Sequence, residues 1–326
     1  MGEKRPIGDS GIEVAPLALG GNVFGWTADE EASFAVLDAF VDAGGTMIDT
    51  ADVYSSWVPG HKGGESEALI GRWLRRSGKR DKVVIATKVG YLDGEIVDGE
   101  YVAMLEPDVI MRACEASLRR LETDRIDLYY QHKDNEKVPL ARSLGAFEAL
   151  REQGKIRAIG ISNFAAHRVD EAVETARRCG FMPPVALQPY YNLVERERFE
   201  GELREAAIRH GLGVFPYFSL ANGFLTGKYR TEEDLDQSPR GKRVAGYLEG
   251  RGRRVLDELD AIAAETGAAL ATVALAWLMA QPAIAAPIAS ATSVPQLVEL
   301  VAAMDLTLTP RQIARLDAAS AEAVPA

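Results

Sequence analysis

A (β/α)8 barrel is the fold class this sequence predicts, and three observations predict it. Short apolar runs alternate with amphipathic segments along almost the whole chain, the pattern of repeated βα units. The runs number eight: LALG (17–20), TMID (46–49), VVIATK (83–88), IDLYYQ (126–131), IRAIGIS (156–162), VALQ (185–188), GVFPY (213–217) and AIAAPI (283–288). Ionisable residues and long connections follow the ends of these runs, on the face where barrel enzymes carry their active sites. Eight parallel strands with crossover helices close on themselves, whereas a doubly wound open sheet more often stops at about five to seven. The 326 residues are therefore read as one domain, 1–326, an α/β TIM barrel with an addition at each end.

The N-terminal addition is a β-hairpin over residues 4–15, turning at Gly8-Asp9-Ser10-Gly11. Helices are expected at 30–43, 65–76, 108–120, 140–152, 166–178, 199–209 and, as one longer stretch, 252–280. Asp108, after Pro107, opens the third of these, and Thr309-Pro310 opens an extra C-terminal helix. Gly44-Gly45, Gly154 and Gly211 supply stops, because glycine takes the left-handed conformation that ends a helix. Three connections, 53–64, 89–107 and 222–250, are too long for turns and are expected to wall the barrel mouth. The last is locally basic (GKYR, PRGKR) in an acidic chain.

A formal charge of −11 opposes binding to nucleic acid or to an anionic membrane. The opening MGEKRPIGDSG has no apolar leader core, and no stretch reaches the ~18 to 20 apolar residues that span a bilayer. A cytoplasmic protein without nucleic-acid or membrane partners is expected, its oligomeric state left open. Cys114 and Cys179 lack partners at metal-ligand or redox spacing and are read as inert thiols on helices. His61, His132, His167 and His210 form no ligand pattern, so no metal is expected.

Four residues at or just past strand ends carry the chemistry: Asp49, Tyr54, Lys88 and His132. All four are expected to face one mouth. Aspartate and lysine closing apolar runs are expected to pair, since neither is buried alone. Adding hydride to a carbonyl leaves an alkoxide that needs a proton, and a free phenol near pKa ~10 gives one poorly at neutral pH. The Lys88 ammonium is expected to lower the pKa of Tyr54, Asp49 to hold that lysine, and His132 to polarise the carbonyl or join the proton path.

Around these residues stand IDTADVY (48–54), ATK (86–88), RLETDRIDLYYQH (120–132), IGISNF (159–164), LQPYYNL (187–193) and GFLTGKY (223–229). In order and spacing the chain resembles the aldo-keto reductases. Its loop SSWVPGHKGGESE (55–67) resembles a bacterial branch similar to the channel beta-subunit-like reductases. The resemblance implies reversible NAD(P)H-dependent reduction of an aldehyde or ketone, with Tyr54 as general acid assisted by Lys88, Asp49 and His132. It implies NADP as cofactor, NADPH preferred and NADH possible, extended across the barrel mouth; the chain has no G-x-G-x-x-G. By the same resemblance Ser162, Asn163 and Gln188 bind the nicotinamide carboxamide, Tyr217 stacks on the ring, and Gly21, Asn22 and Asp49 face the cofactor. Ser219, Leu220 and Gly223 line the pyrophosphate with Lys228 and Arg240 as cations, and Ser290, Thr292, Gln296 and Glu299 hold the adenosine end.

The chain departs from the family pattern in places. It has Phe218-Ser219-Leu220 where many members have Ser-Pro-Leu, Leu300 where an asparagine is common, and neither lysine nor arginine between 285 and 303. Trp57 and His61 lie in the long loop beside Tyr54, facing substrate or solvent. Two other functions compete. A barrel aldolase would use Lys88 as a Schiff-base amine, leaving Ser162, Asn163, Gln188 and Tyr217 without a task. A redox-sensing or regulatory subunit would keep the dinucleotide site with slow turnover.

Overall fold

The computed structural model describes residues 2–97 and 100–322. Strands β1 (Arg5–Pro6) and β2 (Glu13–Val14) form the antiparallel hairpin. Its turn packs on the starts of later strands: a side chain on Gly8 would meet the Val185 carbonyl at 2.7 Å and the Gly211 carbonyl at 3.1 Å. The hairpin thus covers the N-terminal end of the barrel, opposite the functional mouth.

The barrel proper runs β3 (Ala18–Gly20), α1 (Glu30–Asp42), β4 (Met47–Asp49), α2 (Glu65–Ser77) and β5 (Val84–Val89). A small antiparallel pair, β6 (Glu95–Val97) and β7 (Glu100–Val102), precedes α3 (Pro107–Arg120) and β8 (Ile126–Gln131). Then follow α4 (Leu140–Glu152), β9 (Ile156–Ser162), α5 (Ala166–Cys179), β10 (Ala186–Gln188), α6 (Glu202–Arg209) and β11 (Gly213–Val214). The chain ends with α7 (Gly250–Thr266), α8 (Leu270–Met279), β12 (Ile288–Ala289), α9 (Val294–Val301) and α10 (Pro310–Ser320).

Eight parallel strands form one sheet in the order β11-β10-β9-β8-β5-β4-β3-β12. Hydrogen bonds from Ala285 N to Val214 O and from Ile288 N to Pro216 O, each 2.9 Å, join its two edges into a barrel. Alternation along the strands points Ala18, Met47, Ala86, Leu128, Tyr130, Ala158, Ala186 and Phe215 inward, where Ile7, Ile12 and Val14 of the hairpin complete one apolar cluster. Small alanines among large residues fill the narrow interior. A second cluster fills the layer between strands and helices, with Trp73, Tyr129, Phe147 and Trp277 fully buried.

The expected element pattern holds with local differences. The stretch 252–280 is two helices, because α7 stops at Gly267 (φ +71°) before α8 begins. Helix α3 opens at Pro107 with Glu106 as its cap, placing Asp108 inside the first turn. Helix α6 begins at Glu202 rather than 199, because Gly201 (φ +91°) interrupts the preceding turn. The connection 89–107 contains the β6–β7 pair, and 222–250 winds through short 3-10 turns. Thr309 caps α10 through a reciprocal pair with Gln312. Cys114 is buried and Cys179 exposed, both on helices, and burial pushes the Cys114 thiol up to about 12. Among the described residues no single helix is long and apolar enough to cross a membrane.

Candidate active site

Strand phase brings the central residues together. Asp49 follows inward-facing Met47, Lys88 follows Ala86, and His132 follows Leu128 and Tyr130, each two residues on. Asp49 and Lys88 are 1% and 0% exposed, and their ion pair closes at 2.6 Å. The Lys88 ammonium donates its other hydrogen bonds to the Thr50 carbonyl at 2.7 Å and the Tyr54 hydroxyl at 3.0 Å. All three of its N–H donors are therefore engaged.

Tyr54 is held from both sides in sequence. Thr50 N and Asp52 N donate to the Ala86 and Lys88 carbonyls, extending the β4–β5 pairing past Asp49. After it, Ser55 takes a left-handed conformation (φ +72°) and its buried hydroxyl donates to the Phe24 carbonyl at 2.9 Å. The loop after β3 is fixed in turn by Ser66, whose hydroxyl donates to the Gly21 carbonyl.

A second group continues from the first. Gln188 Nε2 donates to the free oxygen of Asp49 at 2.8 Å, and the Ser162 hydroxyl donates to the Gln188 carbonyl at 2.9 Å. Asn163 (φ +56°) donates to the His132 carbonyl and to Ser162, and accepts from the Tyr217 hydroxyl at 2.7 Å. Asp49, Tyr54, Lys88, His132, Ser162, Asn163, Gln188 and Tyr217 thus form one connected set across the mouth.

The remaining predicted residues form local groups around that set. Ser290 donates to Asn22 at 2.8 Å, and a side chain on Gly20 would strike the Ser290 hydroxyl. Buried Gly21 sits against Ser66 and the Asp49 carbonyl. Thr292 bonds Gln296, and exposed Glu299 presents its carbonyl to Thr272. Ser219 is buried and bonded to the Pro216 carbonyl, and half-buried Leu220 packs on the core. Gly223 lies beside the exposed Lys228. Arg240 stacks on Trp26, 5.0 Å from the ring centre. Leu300 is buried in the core cluster.

The electrostatics correct one expectation. Burial pushes the Tyr54 phenol above its ordinary value; the Lys88 charge pulls it down and Asp49 adds to the rise, so no net acidification results. Burial opposes the charge on Lys88, but Asp49 and Tyr54 together hold it above its usual range. Burial, then the Lys88 charge, pushes His132 well below the usual imidazole range, and its Nδ1 is buried without a partner. His132 is accordingly a neutral imidazole at neutral pH.

Residue-by-residue reading of the sequence missed the aromatic frame. Tyr91 packs edge-on against His132, with ring centres 4.4 Å apart, and stacks on Tyr101. Trp57 packs against both Trp26 and Tyr54, whereas His61 turns back to the Ser55 carbonyl. Tyr91 lies in a connection already expected to wall the mouth, the only signal that pointed to it.

A family model described as the aldo/keto reductase family matches residues 16–321, nearly the whole barrel. The chain belongs to the aldo/keto reductase family. An uncharacterised oxidoreductase, YrpG, of Bacillus subtilis is 36% identical over 93% of this chain and 91% of its own length. A probable voltage-gated potassium channel subunit beta of Oryza sativa is 31% identical, covering 96% and 95% of the two chains. An aldo-keto reductase of Schizosaccharomyces pombe named yakc [NADP(+)] is 32% identical, covering 86% and 80%. Membership places this aldo/keto reductase among oxidoreductases that act on carbonyls with a nicotinamide cofactor.

Proposed function

We propose that the protein reduces an aldehyde or ketone with NADPH, Tyr54 delivering the proton. The observation that carries this reading is the buried contact chain Gln188–Asp49–Lys88–Tyr54, which ends at the phenol. The described residues fit a dinucleotide. Asn222 Oδ1 is buried without a partner, a bare acceptor suited to a ribose hydroxyl, and Phe218, Ala221, Asn222 and Gly223 all have positive φ, folding that segment beside Lys228. Lys228 and Arg240 favour the pyrophosphate, with Ser219, Leu220 and Gly223 as its wall. Asn22, Ser290, Thr292, Gln296 and Glu299 are assigned to the adenosine half. Ser162, Asn163 and Gln188 orient the carboxamide and Tyr217 packs on the ring.

A bound reduced nicotinamide supplies the hydride. The chain's own groups do the rest. Neutral His132 donates a hydrogen bond to the carbonyl oxygen, and Tyr54 gives up its proton to the alkoxide as negative charge develops beside the Lys88 ammonium. A Schiff base at Lys88 is disfavoured, because an amine held charged has no lone pair to offer. The raised Tyr54 phenol favours one second reading, a dinucleotide-binding sensor with slow turnover. Quenching of Trp26 and Trp57 fluorescence by NADPH, followed by loss of nicotinamide absorbance with an aromatic aldehyde, tests the proposal. Binding with turnover supports the reductase; binding without it supports the sensor.

A further inference from the structure

Gln188 closes β10, yet its amide reaches Asp49 on β4, three strands further round the barrel than its neighbour β9. Both side chains are nearly inaccessible, at 2% and 1% exposure. Each oxygen of the Asp49 carboxylate then has one side-chain donor, Lys88 on Oδ1 and Gln188 on Oδ2. The ammonium is already saturated by Asp49, Thr50 and Tyr54, so Lys88 has no spare N–H to replace the amide.

Resting on the reading of Tyr54 as the acid, we propose that Gln188 is a positioning residue: its amide, by donating to Asp49, sets how tightly Tyr54 holds its proton. A buried carboxylate oxygen stripped of its donor keeps more of its negative charge unshared, and that charge acts on the nearby phenol against ionisation. The groups facing Tyr54 are Lys88, Asp49, Tyr217 and Arg240, with His132 packed edge-on and Tyr130 beside Asp49. Among them only Asp49 is a carboxylate, so its solvation is the variable that Gln188 controls. The Gln188 main-chain carbonyl already takes the Ser162 hydroxyl, and its side-chain oxygen Oε1 is left for the cofactor's carboxamide N–H. One side chain therefore links cofactor capture to the proton donor.

The test uses tyrosinate absorbance of the full-length protein without cofactor, titrated with base for wild type and Gln188→Leu, each compared with its Tyr54→Phe counterpart. The difference isolates the Tyr54 phenol. The expected result is a midpoint displaced upward by at least about half a pH unit in Gln188→Leu, roughly threefold in its acid constant. Gln188→Asn, one methylene too short to reach Asp49, is expected to shift it in the same direction and serves if Gln188→Leu does not fold. An unchanged midpoint in a folded variant whose NADPH affinity has dropped overturns the proposal, leaving Gln188 as a cofactor ligand alone. Failure of the reductase reading shows separately, as undiminished turnover in Tyr54→Phe.

Discussion

The Tyr54 hydroxyl lies 3.0 Å from the Lys88 ammonium, and the same ammonium sits 4.7 Å from the centre of the Tyr54 ring. The cation is thus placed where a phenolate would form. Burial nevertheless holds the resting phenol above its usual range, so under the proposed mechanism the pair would stabilise the charge that develops during reaction rather than a standing anion.

Tyr54→Phe keeps the ring and removes the proton. Carbonyl reduction is expected to fall by ~10² to 10⁴ in kcat, with NADPH affinity retained. Steady-state rates together with fluorescence titration check this; near-normal turnover would sink the assignment. Because the phenol is raised, the wild-type rate of alcohol oxidation, which needs the deprotonated form, should still be climbing as pH passes 9.

Lys88→Met leaves Asp49 as a buried anion with only the Gln188 amide. Breaking such a pair costs about 3–5 kcal/mol, so this variant should lose stability as well as activity. Adding Asp49→Asn should restore much of the stability and none of the turnover. Urea unfolding of the single and double variants separates the two effects, and equal stabilities would contradict the buried pairing.

His132→Ala should depress turnover while leaving cofactor affinity nearly intact. The low imidazole also predicts a pH effect. An unfolded chain takes up a proton on this histidine near pH ~6.5 and the folded chain does so only well below it, so stability is full above that pH. As pH falls through this window the contribution is lost, by up to about 1.4 kcal/mol per unit. Denaturation midpoints between pH 5 and 7 should fall less steeply in His132→Ala than in wild type; parallel slopes would show that His132 takes up its proton as readily in the folded chain as in the unfolded one.

Cofactor choice follows from charge. A 2′-phosphate is read by lysine or arginine, and residues 285–303 contain neither. NADPH is expected to be favoured over NADH by only about tenfold to a hundredfold, ~1.4 to 3 kcal/mol. Ser293→Arg should widen the margin, and Arg240→Met should weaken both cofactors alike. Dissociation constants at fixed salt decide this, a thousandfold preference or a preference for NADH each contradicting it.

The sequence by itself determined the barrel and named the candidate residues that the fold gathers at its mouth. The apolar runs 46–49, 83–88 and 126–131 each end at or just before an ionisable residue, and the C-terminal ends of parallel barrel strands gather on one face, so Asp49, Lys88 and His132 were expected at one mouth. Tertiary structure alone decided the rest. The hydrogen bond from Gln188 to Asp49 spans 139 residues and depends on barrel curvature, which no local pattern encodes. The packing of Tyr91 on His132, and of Arg240 on Trp26, depends on how long loops fold back over the mouth. The net direction of the Tyr54 shift was equally closed to the sequence, because the nearby Lys88 charge was legible in it and the depth of burial that outweighs that charge was not.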